Sequence, residues 1–280
     1  SIIVQTIGIA PGYGWITGII FAILLAGVII GGMPSIGSVT SKLVPFMATL
    51  YVGMAVIVLV SHYDQIGAAF EQIFIGAFTG AGVAGGFIGA LIQGLKRATF
   101  SNEAGVGSAA IAHSAVKTKE PITEGFVSLL EPFIDTVVIC TMTALVIIIS
   151  GMNTGALSGV TLTAAAFTET SFIFEYFLAL AVVMFAFSTM VSWSYYWLKA
   201  WTYLFGEGAT TELVYKGIFC LFVIVGTSIS FGAVIDFSDA AMFSMSIFNI
   251  IGLYYLMPIV KKELNSFVAR VNSGEIKRYK

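Results

Sequence analysis

Apolar residues fill this chain in long blocks, and short clusters of glycine, proline and polar side chains separate them. A helix needs about 20 mainly apolar residues to cross a bilayer. On that measure the sequence predicts seven spans, at about 13–31, 42–61, somewhere within 73–115, 126–150, 174–201, 216–235 and 239–260. The breaks carry turn-forming residues, as in GGMPSIG at 31–37 and SGMNTGALSG at 150–159. The expected fold class is therefore all-α integral membrane, with about seven transmembrane helices.

The third region allows two readings. Residues 73–95 make one full span, which would leave Lys96 and Arg97 at its cytoplasmic end and SNEAGVGSAAIAHS as a loop or surface helix. Alternatively, 83–98 and 103–117 are two half-helices. Ser101 and Asn102 then serve as N-cap residues, and Glu103 sits in the first turn at the positive end of the helix dipole. Gly105 and Gly107 lend backbone freedom beside the joint. Transporters use such joints because freed backbone groups and helix ends bind ions and charged substrate groups. Upstream, Gly82, Gly85, Gly86 and Gly89 have the small-residue spacing of close helix packing.

Composition sharpens the class. The chain is 58% hydrophobic and 10% charged, whereas soluble domains carry about a quarter charged residues. A net charge of −2 argues against a nucleic-acid partner. Cys140 and Cys220 lie in separate apolar runs, without the spacing of a disulfide framework or a metal site. His62 and His113 fall near opposite faces and read as surface histidines. No nucleophile–base pattern, phosphate loop or zinc motif occurs, so no enzyme and no cofactor is expected. Six of the thirteen basic residues lie in 261–280. Positive residues favour the cytoplasm, which puts this tail inside. Counting back, Lys216, Lys199, Lys119, Lys117 and Lys42 also fall inside, while 1–12, 62–72, 151–173 and 236–238 fall outside and hold no Lys or Arg.

Several polar residues stand out within the apolar blocks. Ser188 and Ser192 share a helix face, with Thr189 and Trp193 as the next pair. Such hydroxyls either face the bundle interior or bond to helix carbonyls. Glu131 and Asp135 lie four apart, with Asp135 the deeper. Glu103 needs a partner in the membrane, where a lone charge costs at least about 2.5–3.5 kcal/mol; Lys96 and Arg97 are the near candidates. Asn249 is expected to bond a neighbouring helix.

Four stretches resemble a known family. They are RATFSNEAGVGSAAIAHSAVKTKEP (97–121), GGMPSIGSVTSKLVPFMATLYV (31–52), FIDTVVICTMTALVIIISG (133–151) and FAFSTMVSWSYYW (185–197). All are similar to segments of the alanine or glycine:cation symporter family (the sodium:alanine symporters), in the same order. Ala98 and Ala110 depart from the family's usual Gly and Pro, and neither removes a liganding group. The resemblance implies the inverted-repeat (LeuT-like) fold of amino-acid symporters, with core helices one and six broken. The chain, which starts at Ser1, looks like roughly the C-terminal two-thirds of the family's length. The spans in 1–260 then correspond to core helices four to ten, the third span is the discontinuous helix six, and 261–280 is a basic cytoplasmic tail. The expected partners include the missing N-terminal helices of the same protein.

The resemblance also implies a function. It is sodium-coupled symport, with proton as the alternative coupling ion, of a small neutral amino acid such as alanine or glycine across a bacterial inner membrane. A zwitterionic substrate needs donors for its carboxylate and acceptors for its ammonium, and sodium wants several oxygens. The implied substrate residues are Phe100, Ser101, Asn102, Gly105 and Trp193. The implied ion-binding residues are Ser188, Thr189 and Ser192, and Glu103, Arg97 and Asp135 take structural or gating roles. No metal beyond sodium is expected. The alternative is a transport-incompetent fragment or a channel-like membrane protein.

Overall fold

A computed structural model describes residues 14–78, 87–154, 157–227 and 231–276 of the protein. The segment 1–12, the glycines Gly82, Gly85 and Gly86, and the basic residues Lys277, Arg278 and Lys280 lie outside the described residues. Within them the chain is all-α, without strands. The helices are α1 (Gly14–Ile29), α2 (Gly32–Ser61), α3 (Ile66–Phe78), α4 (Phe87–Asn102), α5 (Ser108–Ser114), α6 (Pro121–Ile149), α7 (Gly159–Thr170), α8 (Ile173–Phe205), α9 (Ala209–Gly226) and α10 (Phe231–Asn272). Five of them, α2, α6, α8, α9 and the body of α10, are long and apolar enough to cross a membrane, while α1 is apolar but shorter.

The chain divides into two units. The first comprises Ser1–Leu91 with Ile139–Val234, and the second Ile92–Val138 with Ile235–Lys280. The first unit is built on two apolar clusters. Tyr51, Met54, Ala55 and Val58 of α2 pack with Val146 of α6, Phe167 of α7, and Phe174 and Leu178 of α8. Leu25 and Ile29 of α1, Ile36 of α2 and Val191 of α8 form the other. Tyr51 also donates to or accepts from Thr143 Oγ1 at 2.5 Å, which satisfies both hydroxyls away from water. The helices approach closely where side chains are small: a Cβ on Gly18 of α1 would lie 2.9 Å from Ile224 Cα of α9. Without a hydrophobic drive between helices in lipid, such close backbone approach supplies the attraction. Outward-facing residues are apolar too, as at Ile23, Val60, Phe222 and Phe248.

Two expectations need correction. The connection placed at 236–238 is helical and belongs to α10, which runs 42 residues, about 63 Å at 1.5 Å per residue. That helix also includes 261–272, the start of the basic segment. The supposed outside connection 151–173 contains α7, whose Ala164, Ala166 and Phe167 are buried in the first cluster. A second feature was not foreseen. Inside α6, Phe133–Cys140 winds as a π-helix, a conformation that is rare and concentrated at functional sites.

Candidate functional site

The third apolar region is interrupted. Helix α4 ends at Asn102 and α5 begins only at Ser108. Thr99 O accepts the last helical bond, from Glu103 N–H at 3.0 Å. Glu103 then turns into the left-handed region, with φ 52°, as do Gly105 at 84° and Gly107 at 108°. For glycine this conformation is free, whereas for Glu103 it costs about 1–3 kcal/mol and persists only where the surroundings enforce it. Side chains do the enforcing. Asn102 Oδ1 accepts from Ala104 N–H at 2.9 Å, and Asn249 Nδ2 of α10 donates to Gly105 O at 2.9 Å. A Cβ at Gly107 would press on the Asn249 side chain at 3.3 Å.

The helix is interrupted in the expected region, with different ends from those expected. Ser101 and Asn102 do not cap a following helix; they are the last residues of α4. The residue at the start of α5 is Gly107, which offers no side-chain cap, and α5 is seven residues long. Glu103 lies in the break and in no helix's first turn. The physical reason is that Asn102 uses its side chain to close a turn two residues on, which ends a helix as readily as it starts one.

The π-helical stretch of α6 faces the end of α4. Asp135 accepts from Ser101 Oγ, and Thr136 Oγ1 accepts from Asn102 Nδ2 at 2.8 Å. Two consecutive residues of α6 thus hold two consecutive residues of α4. The last four carbonyls of a helix have no intrahelical partner and form its negative end. With the Asp135 carboxylate beside them, this corner suits a positive charge. Ser108, the first residue past the break, is fully buried, and its Oγ has no hydrogen-bond partner among the described residues.

The basic pair upstream finds a different carboxylate from the one expected. Lys96 and Arg97 both pair with Asp239 of α10. Arg97 Nη2 reaches both carboxylate oxygens, at 2.8 and 2.6 Å, and its guanidinium lies 4.7 Å from the centre of the Phe100 ring. Phe100 in turn meets Phe243 edge to face at 6.1 Å. His113, expected at the surface, is partly exposed and bridges Glu124 Oε1 at 2.6 Å and Glu131 Oε2 at 3.4 Å. Beyond the break, Arg270 makes two 2.6 Å bonds to Glu120, which draws the Glu120 carboxyl below its ordinary value of 4.5.

Ser188, Thr189, Ser192 and Trp193 belong to the first unit, on α8. Ser188 Oγ and Thr189 Oγ1 both donate to Phe185 O, at 3.0 and 2.9 Å. Ser188 is buried and also lies 3.5 Å from Met47 Sδ. Their protons are committed, yet each oxygen keeps lone pairs for a cation. Trp193 packs edge to face on Tyr196 at 5.7 Å.

Sequence reasoning missed Asp239, Thr136 and Ser108. The signal for Asp239 was the pair Asp236 and Asp239 inside an otherwise apolar stretch, with two basic residues, Lys96 and Arg97, sharing one candidate carboxylate. Thr136 had no signal, because an ordinary helix turns neighbouring residues about 100° apart.

Residues 2–280 match the family model described as the sodium:alanine symporter family. The chain belongs to that family. Its members are transporters and not enzymes, and the several long apolar helices make this a multi-pass membrane protein. Among similar family proteins is the sodium/alanine symporter AgcS of Methanococcus maripaludis, 39% identical over 257 residues, covering 90% of this chain and 56% of the relative. The probable sodium/glutamine symporter GlnT of Bacillus subtilis is 30% identical over 263 residues, covering 92% of this chain and 54% of that protein. The amino-acid carrier protein AlsT of the same species is 30% identical over 261 residues, covering 92% and 56%. The chain thus spans little more than half the length of these relatives.

Proposed function

We propose that this chain is the part of a sodium-coupled symporter that contains the broken sixth core helix of the inverted-repeat (LeuT-like) fold, and that the whole protein carries a small neutral amino acid, alanine or glycine. The observation that carries the reading is the interruption at 103–107 in the SNEAGVG segment. A break of this kind gives a membrane protein main-chain groups that are free to bind ligand without burying net charge. In this reading Ser101, Asn102, Gly105 and Phe100 contact the substrate, with its ammonium drawn to the negative end of α4. Trp193 borders the substrate, and Ser188, Thr189 and Ser192 offer oxygens to sodium. Glu103, Arg97 and Asp135 govern the conformation of the break rather than the selection of cargo. Alanine is favoured because the sodium/alanine symporter relative is more similar to this chain than the probable sodium/glutamine symporter, at 39% against 30% identity.

The basic segment 261–280 faces the cytoplasm of a bacterial inner membrane in this reading, since it holds six of the thirteen Lys and Arg residues. Sodium is the coupling ion, with proton as the second choice. The test is uptake of labelled alanine into proteoliposomes by a protein of the relatives' full length that carries this sequence. An inward sodium gradient is expected to drive accumulation above the outside concentration. Uptake that ignores sodium and proton gradients, or that stops at equilibrium, would reject coupled symport.

A further inference from the structure

Away from the break, the first unit contains a cavity of about 160 Å³. It lies where α1 meets α2, against the later turns of α8 and the first turns of α9. Its floor is apolar, with the buried residues Ile29 and Ile36. Its mouth is charged: Lys199 of α8 and Lys216 and Glu212 of α9 all line it. Lys216 Nζ is 3.5 Å from Glu212 Oε2, a loose pair, and Lys199 Nζ stands 5.5 Å from the centre of the Tyr195 ring, which also lines the cavity. Two lysines and one glutamate line the cavity, so its lining carries one net positive charge.

The α1–α2 junction and the start of α9 are helix ends, where a spanning protein meets the headgroup layer. The residues around the mouth on the same helices are apolar and exposed, among them Leu204, Leu213 and Val214, as befits surfaces turned to lipid. A ligand arriving here therefore comes from the bilayer and carries a negative head on an apolar body. Basic pockets between membrane helices bind anionic headgroups by this chemistry.

We propose that this cavity holds the phosphodiester headgroup of an anionic phospholipid, with Lys199 and Lys216 as its charge partners and Tyr195 as a wall. The inference stands apart from the transport reading, because it uses none of the residues assigned to substrate or sodium.

Native mass spectrometry of the purified protein tests it, with phosphatidylglycerol, phosphatidylcholine and inorganic phosphate as probes. Phosphatidylglycerol is expected to remain bound in preference to phosphatidylcholine, and Lys199→Gln and Lys216→Gln each weaken its retention by about fivefold. Glu212→Gln removes the competing carboxylate and strengthens retention. Lys199 is exposed, so Lys199→Gln and Glu212→Gln decide the matter even if Lys216→Gln fails to fold. Equal retention of the two lipids, insensitivity to both of these substitutions, or displacement of phosphatidylglycerol by millimolar phosphate would overturn the proposal.

Discussion

A single carboxylate, Asp239, holds both Lys96 and Arg97. Ionised groups within a spanning region persist when they compensate one another, and removing one partner strands the others. Asp239→Asn keeps the shape and removes the charge. A hydrogen bond to a charged group contributes about 1.5–3 kcal/mol, so alanine uptake by the reconstituted full-length protein should fall at least about tenfold. Uptake within twofold of the parent would show that the cluster is incidental. Asn249 acts on the break more directly, through Gly105 O and the space above Gly107. Asn249→Ala leaves that carbonyl without its donor, and a loss of about 1–3 kcal/mol is expected, visible as a lowered thermal midpoint in detergent. At this scale the sequence was only partly legible. Asn249 was marked as a residue bonding another helix, and Lys96 and Arg97 as candidate partners of Glu103, where Asp239 is the carboxylate they hold. The identity of that counter-charge was hidden because Asp239 lies 142 positions away from Arg97, and partners so far apart leave no local pattern.

The interruption between α4 and α5 is a property of the element as a whole. Three residues in the left-handed region within five positions cannot continue a right-handed helix. Gly107→Ala therefore meets two obstacles, a left-handed φ of 108° and the Asn249 side chain at 3.3 Å. The backbone cost alone is about 1–2 kcal/mol. Gly94→Ala, inside α4 where a Cβ meets nothing within 4 Å, should be tolerated or mildly stabilising. Thermal midpoints and alanine uptake of the two variants separate a special joint from a general intolerance of added bulk; equal effects would contradict the joint. The existence of the break could be read from its glycines and from Asn102. Its polarity could not, since Asn102 can close the end of one helix or open the next. Nor was the π-helical stretch at 133–140 readable, because its residues, FIDTVVIC, would suit an ordinary spanning helix.

For the whole molecule, the all-α membrane class followed from composition and block length, and the family from four long motifs in order. Helix α7 escaped notice because its Thr-rich sequence looks like a connection, although it buries Phe167 in the core. The Glu120–Arg270 pair ties the chain before α6 to the end of α10. Its effect on stability has a definite sign. Hydrogen bonding to Arg270 depresses the Glu120 pKa below 4.5, so the contribution is fully present above pH 4.5 and fades as pH falls through the lowered value. Glu120→Gln should accordingly lower the thermal midpoint at pH 7 and flatten its decline at acid pH; an unchanged acid profile would show the pair to be inert. The most direct test of the central claim is backbone amide exchange across residues 103–107. Among the described residues, local bonds hold the amides of Glu103, Ala104 and Val106, to Thr99 O, Asn102 Oδ1 and Glu103 O respectively. In the reconstituted full-length protein, sodium with alanine should slow their exchange, while potassium with alanine should not. Exchange that is already as slow as in α4, or that sodium and alanine leave unchanged, would contradict a ligand-binding break at this position.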